Sequence, residues 1–120
     1  MDISKTIAKL KKEPGFKEKV GMILVHNGVV RGFARGHGAE VKTLEVTPDY
    51  GLIEEICREY SRRPGIFRVL AEAASGVFEP GDDLLFILVA GDIRENVKPV
   101  LAEVLDRIKS EALKKKEMTV

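Results

Sequence analysis

One cysteine, Cys57, is present, so no internal disulfide can staple this chain; beside Ile56 in a helical pattern it reads as a small core residue rather than a nucleophile. With only His26 and His37 to add, no zinc-ligand spacing exists, and the sequence places no carboxylate to orient either histidine. Tryptophan is absent and aromatics make up only 6%. Twenty Lys+Arg stand against 19 Asp+Glu, a formal charge of +1. Few stacking platforms and no net field argue against nucleic acid and membranes as bulk partners. The longest apolar run, Leu84 to Ala90, is too short to cross a bilayer, and MDISKTIAKLKKE lacks the apolar core of a signal peptide, so the expected location is cytoplasmic. No Ser/His/Asp or Cys/His arrangement is visible, which leaves nucleophilic and glycosidase-like chemistry without support.

What is present is the mixture of a globular domain, 44% hydrophobic and 32% charged. Residues 1–120 are expected to form a single domain, short enough that further binding surface must come from a partner. Ile3, Ile7 and Leu10 share a helical face behind Asp2 or Ser4, and Pro14-Gly15 ends that helix. Val20 to Val30 is rich in β-branched and aliphatic residues and is interrupted by Asn27-Gly28, which is either a hairpin turn or a bulge within one long strand. Gly32 to Gly38 is a flexible glycine loop, after which Val41, Leu44 and Val46 resume a strand. Thr47-Pro48 predicts a capped helix start, with Leu52, Ile53, Ile56 and Tyr60 at helical spacing up to Pro64-Gly65. Strands follow at Ile66 to Ala74 and Leu84 to Ala90, separated by a turn at Phe78 to Asp82. Val97, Val100, Leu101, Val104, Leu105 and Ile108 then define a long helix running towards Lys116. Asp92 with Glu95 is one possible start; Asn96 as cap with Pro99 in the first turn fits better. This order predicts an α+β domain with a mostly antiparallel sheet and helices packed on it.

The remaining chemistry is cationic. Lys109 and Lys116 are seven residues apart, two turns of that expected helix, so both can face one anion, although taken alone Lys114, Lys115 and Lys116 read better as a solvated helix end. Arg31 opens the glycine loop and Arg35 sits within it, an arrangement suited to a phosphate or simply to a mobile basic loop. His26 could be a base or a hydrogen-bonded, half-buried side chain, and with no carboxylate to orient it the second reading is preferred; His37 reads as solvent-exposed.

Four segments recur in one known family in this order: GMILVHNGVVR; GHGAEVKTLEV; Gly76, Phe78, Gly81 and Asp82 ahead of LLFILVA; and Lys109 with Lys116 and Glu117. From about Val20 to Glu117 the chain resembles the large, catalytic subunit of molybdopterin synthase. It departs from that family in having His26 where an aromatic stands, Ile93 in place of a histidine before Arg94, and Ala112, Leu113 and Lys114 in place of a Pro-aromatic-aromatic stretch.

The resemblance implies an α/β hammerhead fold and a place in molybdenum cofactor biosynthesis. A ubiquitin-like small subunit would deliver sulfur from its C-terminal Gly-Gly thiocarboxylate to cyclic pyranopterin monophosphate, giving the molybdopterin dithiolene. Two copies of each subunit would form a heterotetramer about a homodimer of this chain. Lys109 and Lys116 would be catalytic, Arg31, Arg94, Arg35 and Lys115 would bind substrate, and no metal or cofactor of its own is implied. The competing reading is a non-catalytic relative that binds the partner's tail or another anion, which the missing histidine and aromatics favour.

Overall fold

The computed structural model describes residues 1–36 and 38–120, so the expectation for His37 lies outside the described residues. The chain runs α1 (Ile3–Leu10), α2 (Phe16–Lys19), β1 (Met22–Val29), β2 (Val41–Pro48), α3 (Tyr50–Tyr60), β3 (Ile66–Ala73), β4 (Gly76–Phe78), β5 (Asp83–Gly91) and α4 (Arg94–Arg107). A π-helical turn (Ile108–Ala112) and β6 (Leu113–Thr119) follow. The class is α+β as expected, but the strands form two three-stranded sheets, β1-β5-β3 and β4-β2-β6, and every pairing among the described residues is antiparallel.

β5 is central because its run is apolar on both faces, and Leu84, Leu85 and Ile87–Ala90 are all buried. One face of its sheet takes α1 through Leu10, which packs with Leu88 and Ala90. The other takes α3 and α4, with Val97, Val100, Val104 and Ile108 buried against Leu85, Ile87 and Val89 as the apolar periodicity predicts. Asp2 rather than Ser4 caps α1, its carboxylate accepting from the Lys5 amide at 3.0 Å. β1 passes through Asn27-Gly28 as one strand, with a register slip between Gly28 and Val29.

Three expectations are corrected. Pro48 closes β2, and α3 begins at Tyr50 behind Asp49, whose carboxylate accepts from the Leu52 amide at 3.1 Å. A proline at a strand end or at a first helical turn looks alike in sequence. α4 begins at Arg94 rather than after Asn96, because the Asp92 carboxylate holds both the Ile93 amide and Asn96 Nδ2, at 2.6 and 2.8 Å. Pro99 therefore lies in the second turn and forgoes one helical hydrogen bond. Finally, helix does not continue to Lys116: the chain widens into the π-helical turn and leaves as β6, pairing with β2 from Pro48↔Leu113 to Val41↔Thr119. Lys-rich segments favour helix on their own, but pairing with β2 overrides that preference, and lysines are common on exposed edge strands.

Candidate functional site

β1 carries the first part of the site. Met22 and Leu24 face the α4 side of the sheet while Ile23 and Val25 face α1. Alternation therefore sends His26 and Gly28 towards α4. Val30 is buried, and Arg31 emerges exposed just beyond, its guanidinium 5.4 Å from the Phe33 ring centroid. The chain from Gly32 onward is a loop, as its glycines predict. Over its described residues it is a closed turn, with a Phe33↔Glu40 bridge, Ala34 buried, and hydrogen bonds from the Ala34 amide to the Ala39 carbonyl and from Val41 to Gly32.

The far end of α4 carries the second part. Ile108 and Ala112 are buried, and the Ala112 carbonyl accepts from the Asp49 amide at 2.7 Å, so the π-helical turn is fixed from both sides while Lys109 stays exposed. Arg107 secures the same end by ion pairs to Glu59 and to Glu111, the latter at 2.8 Å. These pairs hold the Arg107 guanidinium more firmly protonated and lower the Glu111 carboxyl.

β6 supplies the third part, and its strand geometry decides which lysine belongs. Lys115 pairs with Val46 and Glu117 with Leu44, and both partners are buried, so Lys115 and Glu117 lean over the core-facing side of the sheet. Lys116 pairs with exposed Glu45 and points the other way. Lys115, Glu117, Arg31 and Phe33 line one small pocket of about 60 Å³ floored by Val30 and Leu44. Larger concavities exist elsewhere; one gathers Arg58, Arg62 and Arg107, but Glu55 and Glu59 line it with them, and Arg58 and Arg107 are already ion-paired to Glu54 and to Glu59 and Glu111.

Electrostatics join the three parts. The Lys115 ammonium, although its side chain is exposed overall, is partly desolvated; that burial first, then Lys109 and Arg31, depress its pKa, while Glu117 opposes them. The His26 pKa is lowered by burial first, then by Lys109 and Lys115. Arg31, Lys109, Lys115 and His26 thus share one electropositive neighbourhood, which suits a phosphate or carboxylate. Three or more metal-ligating side chains do not cluster anywhere among the described residues. No helix among them is long and apolar enough to cross a membrane.

Two expected members lie elsewhere. Lys116 shares no helical face with Lys109, because it belongs to β6 and faces away. Arg94 opens α4 whereas Lys109 follows its end, fifteen residues or about 22 Å along the axis. It is exposed and paired with Glu95 at 3.3 Å. Arg35 is exposed in the turn and makes no ion pair among the described residues. Sequence reading preferred a half-buried, hydrogen-bonded His26 to a base; the side chain is half-buried as expected, but its Nε2 has no hydrogen-bond partner among the described residues, and its position two residues before Gly28 on an inward-facing strand register was the available signal.

The sequence matches the family described as MoaE protein over residues 1–111. The chain belongs to the MoaE family. Solved structures agree with the fold. The molybdopterin cofactor biosynthesis protein E from Burkholderia multivorans superposes with a TM-score of 0.75 at 26% identity, covering 100% of this chain and 82% of that one. For the molybdopterin biosynthesis MoaE protein from Burkholderia ambifaria the values are 0.76 and 26%, with 99% and 78% covered. A complex of subunits 1 and 2 of the molybdopterin-converting factor from Helicobacter pylori matches at 0.69 and 16%, with 99% and 80% covered, a likeness of fold. Comparison with curated proteins finds no match. The MoaE match includes Arg31 and Lys109 but ends before Lys115, so the place of Lys115 in the site rests on strand geometry.

Proposed function

We propose that this chain acts in molybdenum cofactor biosynthesis as the large, catalytic subunit of a cytoplasmic molybdopterin synthase. Sulfur would come from the C-terminal Gly-Gly thiocarboxylate of a ubiquitin-like small subunit and pass to cyclic pyranopterin monophosphate. The observation that carries this reading is the convergence of Arg31, Lys109 and Lys115 in a chain whose cysteine is buried in the core. Such a site offers cations and no nucleophile, which fits a reaction whose sulfur arrives on the partner.

In this reading Arg31 holds the substrate phosphate or the tail carboxylate, since a guanidinium matches both bidentately. Lys109 and Lys115 stabilise negative charge at the reacting centre, where fixed cations need no reorganisation. Lys115, with its depressed pKa, gives up a proton at lower cost than a solvated lysine, which suits an acid/base role. Arg94, about 22 Å from Lys109 along its own helix, would join the site from the second copy of a homodimer, completing a wall that one copy lacks.

A second reading, a non-catalytic relative that keeps only the tail-binding groove, is favoured by Ile93, 53% exposed at the head of α4 with no group to titrate. Mixing the protein with a thiocarboxylated small subunit and cyclic pyranopterin monophosphate separates the two. Dithiolene formation supports the synthase; retained tail-peptide binding without product supports the relative.

A further inference from the structure

A buried polar nitrogen without a hydrogen-bond partner is rare enough in folded proteins to need a reason. Among the described residues, His26 Nε2 is shielded from solvent and has no such partner. Its position follows from Gly28, two residues on along the same face of β1. A Cβ added at Gly28 would sit 3.1 Å from His26 Nε2 and 3.5 Å from the Leu85 Cβ, so the missing side chain leaves the room in which the imidazole lies.

The groups around that ring are specific. Opposite His26 on β5 is Ile87 and opposite Gly28 is Leu85, both apolar. Lys109 of the π-helical turn and Lys115 of β6 act on the imidazole directly, and Arg31 and Glu117 act on Lys115. A ring placed among cations, with an unpaired nitrogen and apolar strand neighbours, is arranged for an anion rather than for another protein group.

We propose that His26 turns in its half-buried place to bring Nε2 onto the bound ligand, a divalent oxyanion of the phosphate-monoester class, and that the imidazole takes up a proton as the anion enters. This rests on the reading of Arg31, Lys109 and Lys115 as an anion site. In the free protein, burial and the two lysines keep the imidazole neutral near pH 7. An anion seated between the lysines offsets their repulsion and favours the imidazolium. Proton and anion binding are then reciprocal, each tightening the other by the same factor.

The test uses the full chain and sulfate, which keeps its double charge from pH 5 to 8. Imidazole nitrogen NMR follows the His26 titration with and without sulfate, and H26F assigns the resonance. The expected result is a rise in the His26 pKa of about one unit on sulfate binding, equivalent to about tenfold tighter sulfate binding to the protonated form. H26Q, which still hydrogen-bonds but does not titrate, should bind sulfate with an affinity nearly flat between pH 5.5 and 8. G28A, which presses on Nε2, should weaken sulfate several-fold. Sulfate bound by the wild type with the His26 titration unmoved overturns the assignment of His26 and leaves the cation site intact. Sulfate bound by neither the wild type nor H26Q at 50 mM overturns the cation site and His26's role together.

Discussion

At the scale of single residues, the same alternation along β6 that turns Lys115 inward turns Lys116 out, although the two are neighbours in a run of three lysines. A sequence reading places them by helical spacing and selects Lys116; strand pairing with buried Val46 selects Lys115. Arg31 and Lys109 were legible as cations, although Lys109, expected two turns inside a longer helix, stands in the π-helical turn that follows α4. His26 was not legible, because its significance comes from residues 83 and 89 positions away. Its titration gives a direct check. The native pKa lies below the ordinary 6.5, so as pH falls through 6.5 the unfolded chain binds the proton first and native stability declines; above that window the effect vanishes. Lys109→Ala removes one of the repelling charges, so the His26 pKa measured by NMR should rise while remaining below 6.5 through burial. Cys57 offers a contrasting case. Burial first, and then the charge of Glu54, push its thiol up to about 11. It should therefore resist iodoacetamide at pH 7.5 in the native protein and react at once in guanidinium; rapid native alkylation would contradict its place in the core.

Among the elements, the π-helical turn matters most, because it converts a packed helix end into an edge strand and sets Lys109 beside Lys115. Its anchor is Ile108, fully buried, with the Ala112 carbonyl tied to Asp49. Ile108→Ala should cost about 2–5 kcal/mol, as cavity-forming core truncations do. Because the anchor also positions Lys109, calorimetry should show a lowered Tm and binding assays a weakened anion site. Gly91 is a second fixed point. A Cβ there would meet the Gly65 carbonyl oxygen and Val97 Cγ2, each at 2.6 Å, so Gly91→Ala should destabilise by about 1–3 kcal/mol, read as a fall in the denaturation midpoint. The amphipathic stripe of α4 and the apolar run of β5 were readable because burial imposes a period. β4 and β6 were not. Three residues are too few to show a period, and a lysine-rich edge strand has a helical composition until its partner strand is known.

On the scale of the whole molecule, the chain is elongated, 51 × 25 × 25 Å with a radius of gyration of 15.6 Å, against about 14 Å for a compact domain of its length. Large apolar side chains stand exposed on it, including Phe33, Val77, Ile93 and Met118. Elongation and exposed apolar groups suit a subunit that completes itself by assembly. If Arg94 serves the site of a second copy, mixed and re-equilibrated R94A and K109A proteins should recover activity that neither has alone. Random pairing yields half heterodimers with one intact site each, or about a quarter of wild-type activity. No recovery would confine Arg94 to its own chain. The central claim, that Arg31, Lys109 and Lys115 form the sulfur-transfer site, is tested most directly by single-turnover dithiolene formation. The assay would use the thiocarboxylated small subunit and cyclic pyranopterin monophosphate and compare the wild type with K115A and K116A. The account predicts a rate at least ~100-fold lower for K115A, on the scale of losing a charge-stabilising group, and one within about threefold of wild type for K116A. A K116A protein that is inactive beside an active K115A would contradict it.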